Sequence, residues 1–108
     1  NFGNDHPSTA IRYSNLAMVL QALGDYSGAK ELLEKAVKSD EKNFGNDHPS
    51  TAIRYSNLAL VLKDLGDYQE ALGLAGKALT IFKNSLPEGH PNIKTVQKNY
   101  DSIIAKIE

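Results

Sequence analysis

Three histidines, His6, His48 and His90, recur at the same spacing, and each is followed by a proline. Around the first two the sequence reads Asn-Asp-His-Pro-Ser, which sets an acid, an imidazole and a hydroxyl within a few positions of one another (Asp5, His6, Ser8; Asp47, His48, Ser50). Such a set could ligate a metal or activate a nucleophile. The recurrence argues against both. If each histidine marks one unit of a stack, successive imidazoles lie on the order of 10 Å apart, the spacing of packed helices. A shared zinc would need bonds of about 2 Å. No oxyanion-stabilising partner is evident beside Ser8 or Ser50. These histidines therefore read as capping and junction residues, and no catalytic residue, metal or cofactor is expected.

Asn15, Asn57 and Asn99 recur at the same interval. Asn is a mediocre helix former, so its return inside what reads as a helix asks for a reason. Its amide both donates and accepts hydrogen bonds. It could serve a ligand or fix the packing of a neighbouring helix.

The elements that would carry these residues come from an internal repeat. "NFGNDHPSTAIRYSNLA" occupies residues 1–17 and, unchanged, 43–59. With the same offset, "NLAMVLQALGDYSGAKELLEKAV" lies over "NLALVLKDLGDYQEALGLAGKAL", and "GHPNIKTVQKNY" lies under "DHPSTAIRYSNL". Fixed-period self-similarity marks a solenoid. We divide the single domain 1–108 into repeat 1 (1–42), repeat 2 (43–84) and a C-terminal capping unit (85–108). Each unit opens on a Pro suited to the first helical turn, with the preceding Asp-His positioned to cap free amides. Gly24 and Gly66 sit where a residue with positive φ would end the first helix. A second helix then starts near Tyr26 or Tyr68. Apolar residues recur with helical spacing, and no stretch alternates with a strand period. The expected fold is all-α, with helices near 7–23, 26–42, 49–65, 68–84 and 91–107. The last carries one apolar stripe (Val96, Tyr100, Ile103, Ile104, Ile107), suited to covering the end of a stack. Gly28, Gly73 and Gly76 fall inside second helices, and "GLAGKA" is expected to admit close approach of the covering helix.

Composition narrows the function classes. The net charge is −1, and the basic residues form no run, so nucleic acid is not an expected partner. Cysteine is absent, which excludes disulfides and thiolate metal sites and is compatible with a reducing compartment such as the cytoplasm. No apolar run reaches the roughly 18 residues that span a membrane. The chain begins at Asn1 rather than Met, as expected of a piece excised from a longer protein.

"LGDY" followed by Ala resembles the turn of a tetratricopeptide repeat (TPR). In that family a large residue, a Leu and a small residue sit on the first helix, a Gly and a Tyr mark the turn, and small residues sit where the helices cross. The matching residues are Tyr13, Leu16, Ala17, Gly24, Tyr26, Ala29 and Ala36, then Tyr55, Leu58, Ala59, Gly66, Tyr68, Ala71 and Ala78. Tyr replaces the usual Trp, and the closing Pro is absent. The 42-residue period with Asp-His-Pro at the junction is similar to kinesin light chain repeats. The resemblance covers essentially the whole chain. It implies an α-solenoid, a right-handed superhelix of antiparallel helix pairs, acting as a protein-binding scaffold. In such repeats the position matching Asn15, Asn57 and Asn99 faces a concave groove and bonds a peptide backbone. The same groove would carry Met18, Ile53, Ser56, Leu60, Lys63, Thr95 and Lys98, with Arg12 and Arg54 beside it, and its slight excess of lysine would favour an acidic or C-terminal segment. The alternative is a spacer or self-assembly element with no peptide ligand. An enzyme, or the regulatory arm of one, is the third and least supported reading.

Leu58 lies at the helix crossing of the central unit and is expected to be core. The first helix repeats the beginning of 49–65 but follows no earlier helix, so its outer side should be apolar and adhesive. Further repeats or weak dimerisation through residues 7–23 would cover it. The one-sided last helix favours a symmetric contact at the N-terminal end or a swapped dimer.

Overall fold

The computed structural model describes residues 6–108. It contains five helices: α1 (Pro7–Ala22), α2 (Tyr26–Phe44), α3 (Pro49–Asp64), α4 (Tyr68–Ser85) and α5 (Pro91–Ile107). The described residues form no strand. Each helix packs chiefly on its neighbours in the chain, with slight α1–α3 and α3–α5 contact. That connectivity, and extents of 44 × 34 × 19 Å, describe an open stack of helix pairs rather than a closed bundle.

The helix boundaries follow from local chemistry. The N–H groups of Ser8, Ser50 and Asn92 donate to Nδ1 of His6, His48 and His90 at 3.1, 3.0 and 3.0 Å. Each imidazole thus takes one of the donors that a helix start leaves free. Asp5, offered as a second capping acid, lies outside the described residues. At the other end of α1, Gly24 has φ 85°, and its N–H donates to Gln21 O while Asp25 N–H donates to Leu20 O. Gly66 and Asp67 repeat the pattern on α3. Both are helix ends closed by a left-handed glycine. The second helix overruns its expected end at 42 and continues to Phe44. Asn43 Nδ2 donates back to Ser39 O at 3.0 Å, and the helix stops only at Gly45, with φ 90°.

Small residues bring the helices together. Ala17, Ala29, Ala36, Ala59, Ala71 and Ala78 are completely buried. Around them pack Leu33, Tyr55, Leu58, Val61, Leu62, Phe82, Val96 and Ile103. Gly76 lies against the Tyr100 ring, where an added Cβ would come to 3.4 Å, whereas one on Gly73 would meet nothing. The close approach expected of "GLAGKA" therefore belongs to one glycine of the two.

The two junctions between units differ in chemistry. Between α2 and α3, Arg54 Nε donates to Asp40 Oδ2 at 3.2 Å, with the two side chains 12% and 2% exposed. Tyr55 Oη donates to Glu41, and Thr51 Oγ1 donates to Gly45 O at 2.8 Å. One repeat later, between α4 and α5, the same registers hold Phe82 for Asp40, Val96 for Arg54 and Ile93 for Thr51. Phe82 and Val96 are buried in the apolar core, with Ile93 packed against it. An ion-paired junction has become an apolar one by changes on both sides.

Candidate functional site

The first helices of successive units leave a cleft between α3 and α5. Ile53, Ser56 and Asn57 come from α3, and Asn92, Thr95 and Val96 from α5, while Phe82 of α4 reaches between them. The cleft holds about 160 Å³. Its chemistry is mixed: an aromatic and two aliphatic side chains offer apolar surface, while two carboxamides and two hydroxyls offer donors and acceptors. Such a lining suits an extended segment with one apolar side chain and hydrogen-bonding backbone on either side.

Of the residues expected in a groove, Ile53, Ser56, Asn57 and Thr95 line this cleft; Asn15, Met18, Leu60, Lys98 and Asn99 do not. Asn15 and Met18 are exposed on α1, Lys98 is exposed on α5, and Leu60 and Asn99 are half-buried. Lys63 is tied to α5, its Nζ donating to Ser102 Oγ at 3.4 Å. Arg12 is exposed on α1. Arg54, expected beside the groove, pairs with Asp40 at the α2–α3 junction. The reason lies in helix geometry, since Arg54 shares the side of α3 that carries Leu58 and Val61, three and four residues apart per turn, and that side packs on α2. The cleft residues not anticipated are Phe82, Asn92 and, as a lining residue, Val96. The first was detectable where repeat 2 breaks from repeat 1, Asp40 to Phe, and the last where the capping unit breaks from repeat 2, Arg54 to Val.

Electrostatics concentrate at the junction. Burial pushes the Asp40 carboxyl up from its ordinary value, and the Arg54 guanidinium pulls in the opposite direction. Burial and the Glu41 carboxylate push the Tyr55 phenol upward, so it stays a donor at any physiological pH. Lys77 Nζ lies 4.8 Å from the centroid of the same ring, within range of a cation–π contact. Among the described residues, no group of three His, Asp or Glu side chains could hold a metal ion, and no helix is long and apolar enough to cross a membrane.

The sequence profile of the tetratricopeptide repeat family matches residues 8–84. The chain belongs to the tetratricopeptide repeat family. TPR repeats are in general protein–protein interaction modules, and their fold is typically a non-catalytic scaffold. No curated protein matches the sequence. Among solved structures, two of kinesin light chain type from Podospora anserina, with nearly identical TPR-like repeats, are similar. One of them, which carries a glutamine-to-methionine substitution, superimposes with a TM-score of 0.88 at 28% identity, covering 95% of this chain and 49% of that one. The second gives 0.78 at 29%, covering 96% and 49%. BtubC (BKLC) from P. vanneervenii shares the fold, with a TM-score of 0.87 at 21% identity over 96% of this chain and 42% of its own. The TPR chain thus spans about half the length of these structures. Kinesin light chain-like repeats, expected from the 42-residue period, are shared with the two Podospora structures.

Proposed function

We propose that this TPR chain is a non-enzymatic scaffold that holds an extended segment of a partner protein in the cleft between α3 and α5. We take it as one domain of two units, 1–42 and 43–84, closed by the unit 85–108. The observation that carries the reading is the cleft lining itself, in which Asn57 and Asn92 flank apolar surface from Ile53, Val96 and Phe82. A peptide lying across the first helices would seat one apolar side chain against Phe82 and bond its backbone to the two carboxamides. Lys98 is exposed one turn along α5 from the cleft, Lys106 is exposed in the last turn of the same helix, and both favour an acidic or C-terminal sequence. Peptide-array screening followed by calorimetry tests this. Asn57→Ala should weaken the selected peptides about 5-fold or more, the worth of about one hydrogen bond, and leave the melting temperature unchanged. Peptides that bind the variant as well as the parent would remove the cleft from the binding site. The spacer reading gains if the array selects no peptide.

A further inference from the structure

The two identical 17-residue segments do not meet the same surroundings. Leu58 and Val61 on α3 are 5% and 0% exposed, covered in part by α2, whereas their counterparts Leu16 and Val19 on α1 are 50% and 54% exposed. Leu23, the counterpart of half-buried Leu65, is 76% exposed. Arg12 stands in the register of Arg54 and is exposed. The outer face of α1 is therefore an α3 face without its α2.

We propose that this face is the docking site for the second helix of an acid-bearing repeat unit, seated as α2 sits on α3, with its Asp at the Asp40 register paired to Arg12. Three observations choose this occupant. The α2–α3 interface shows what covers Arg54, Leu58 and Val61 when they are covered. The residues before α1, 1–6, have the same sequence as 43–48, through which α2 runs into α3. The charge of Arg12 discriminates between occupants. A helix of the α4 type brings Phe82 to that register and Lys83 to the next one, leaving the guanidinium without an acid and beside a second cation. A symmetric α1–α1 contact brings two arginines, and α1 contains no acidic residue at all. An acid-bearing helix alone meets both the apolar residues and the charge.

The test extends the full chain by one more copy of residues 1–42 at its N-terminus, which reproduces the natural junction without a new linker. The thermal midpoint should rise by about 5 °C or more, a shift readily resolved for a domain of this size. Amide exchange across residues 16–23 should slow by at least about tenfold, as for helices taken into the core. Asp40→Phe in the added copy should abolish both gains, and Arg12→Val in the receiving copy should then restore them, by recreating the Phe82–Val96 pairing. If the natural extension leaves the midpoint and the exchange unchanged, the face does not accept this helix. An Asp40→Phe extension that docks as well as the natural one shows that the face does not read the acid. If the unextended chain sediments as a dimer with residues 16–23 already protected, the occupant is a second copy. Each of these three results overturns the proposal.

Discussion

Replacing Asp40 by Phe and Arg54 by Val would convert the ion-paired junction into the chemistry that the next junction already uses. The single changes should be costly. Asp40→Phe strands a guanidinium whose side chain is only 12% exposed, and Arg54→Val strands a carboxylate that is 2% exposed. Breaking a buried pair from one side costs about 3–5 kcal/mol. Water reaches part of Arg54, so the lower end, about 3 kcal/mol, is appropriate for the first change. The double variant leaves no charge behind and places an aromatic ring beside a valine, as Phe82 and Val96 are placed in the core. Exchanging a buried ion pair for apolar groups is often neutral or stabilising by about 1–4 kcal/mol. Urea denaturation of the four chains completes the cycle. With a slope of about 1–3 kcal/mol per molar, each single change should lower the midpoint by at least about 1 M, and the double variant should return to the parent's midpoint or exceed it. The pH dependence separates the two singles. Burial holds the Asp40 carboxyl above its ordinary value even with Arg54 present. Its titration therefore adds stability below the unfolded value of 3.8, and that contribution is lost as pH rises through the folded value. Removing Arg54 pushes the folded value higher still. The deficit of Arg54→Val should then shrink on acidification, because a protonated Asp40 needs no counter-ion, while Asp40→Phe has no carboxyl at that position to neutralise. A double variant as unstable as the sum of the singles would refute the account of both junctions.

Leu58→Ala should cost about 2–5 kcal/mol, as buried Leu→Ala changes do. The same substitution at Leu16, in an identical local sequence but half exposed, should cost less than about 1 kcal/mol; equal midpoint shifts in denaturant would contradict the burial difference. Ser14 is buried, and among the described residues its hydroxyl finds no hydrogen-bond partner. Ser14→Ala should therefore stabilise the chain by about 1 kcal/mol, read as a higher melting temperature. Gly73→Ala, with open space around the new methyl, should add about 1 kcal/mol through helix propensity. Gly28→Ala should add nothing, because its Cβ would strike the Asp25 carboxylate, whose Oδ1 caps Gly28 N at 2.9 Å and is worth a similar amount. Calorimetry on the pair checks the difference between them.

The helices were legible because their punctuation is local. A proline fits the first helical turn, a glycine with positive φ fits the end, and each needs only its near neighbours. The five helices begin where Pro7, Tyr26, Pro49, Tyr68 and Pro91 predict. What lay beyond the sequence was the partner of each exposed-looking polar residue. Arg54 on a helix flank reads as solvated, and its acid sits on another helix 14 positions earlier. Local patterning carries no information about that pairing. The cleft was half legible for the same reason. Asn57 stood out by recurrence, while Phe82 entered as an ordinary apolar residue. Its role depends on α5 approaching closely enough for Val96, Thr95 and Asn92 to face it.

Near-identical units raise a problem of order, and the junction residues answer it. If α5 were to dock on α2, Val96 would face Asp40 and leave a buried carboxylate with no counter-ion. If α3 were to dock on α4, Arg54 would face Phe82 beside Lys83. Either arrangement buries an unpaired charge, which costs several kcal/mol against a total stability of about 5–15 kcal/mol for a domain. The apolar residues alone would not discriminate so sharply, since Leu58 and Tyr100, or Val61 and Ile103, occupy matching registers and differ mainly in shape. Matched changes at both sides of a junction therefore select α2 for α3 and α4 for α5. Because α1 carries the arginine version, the same rule extends to its outer face, where an acid-bearing helix satisfies the selection and a Phe-bearing one does not.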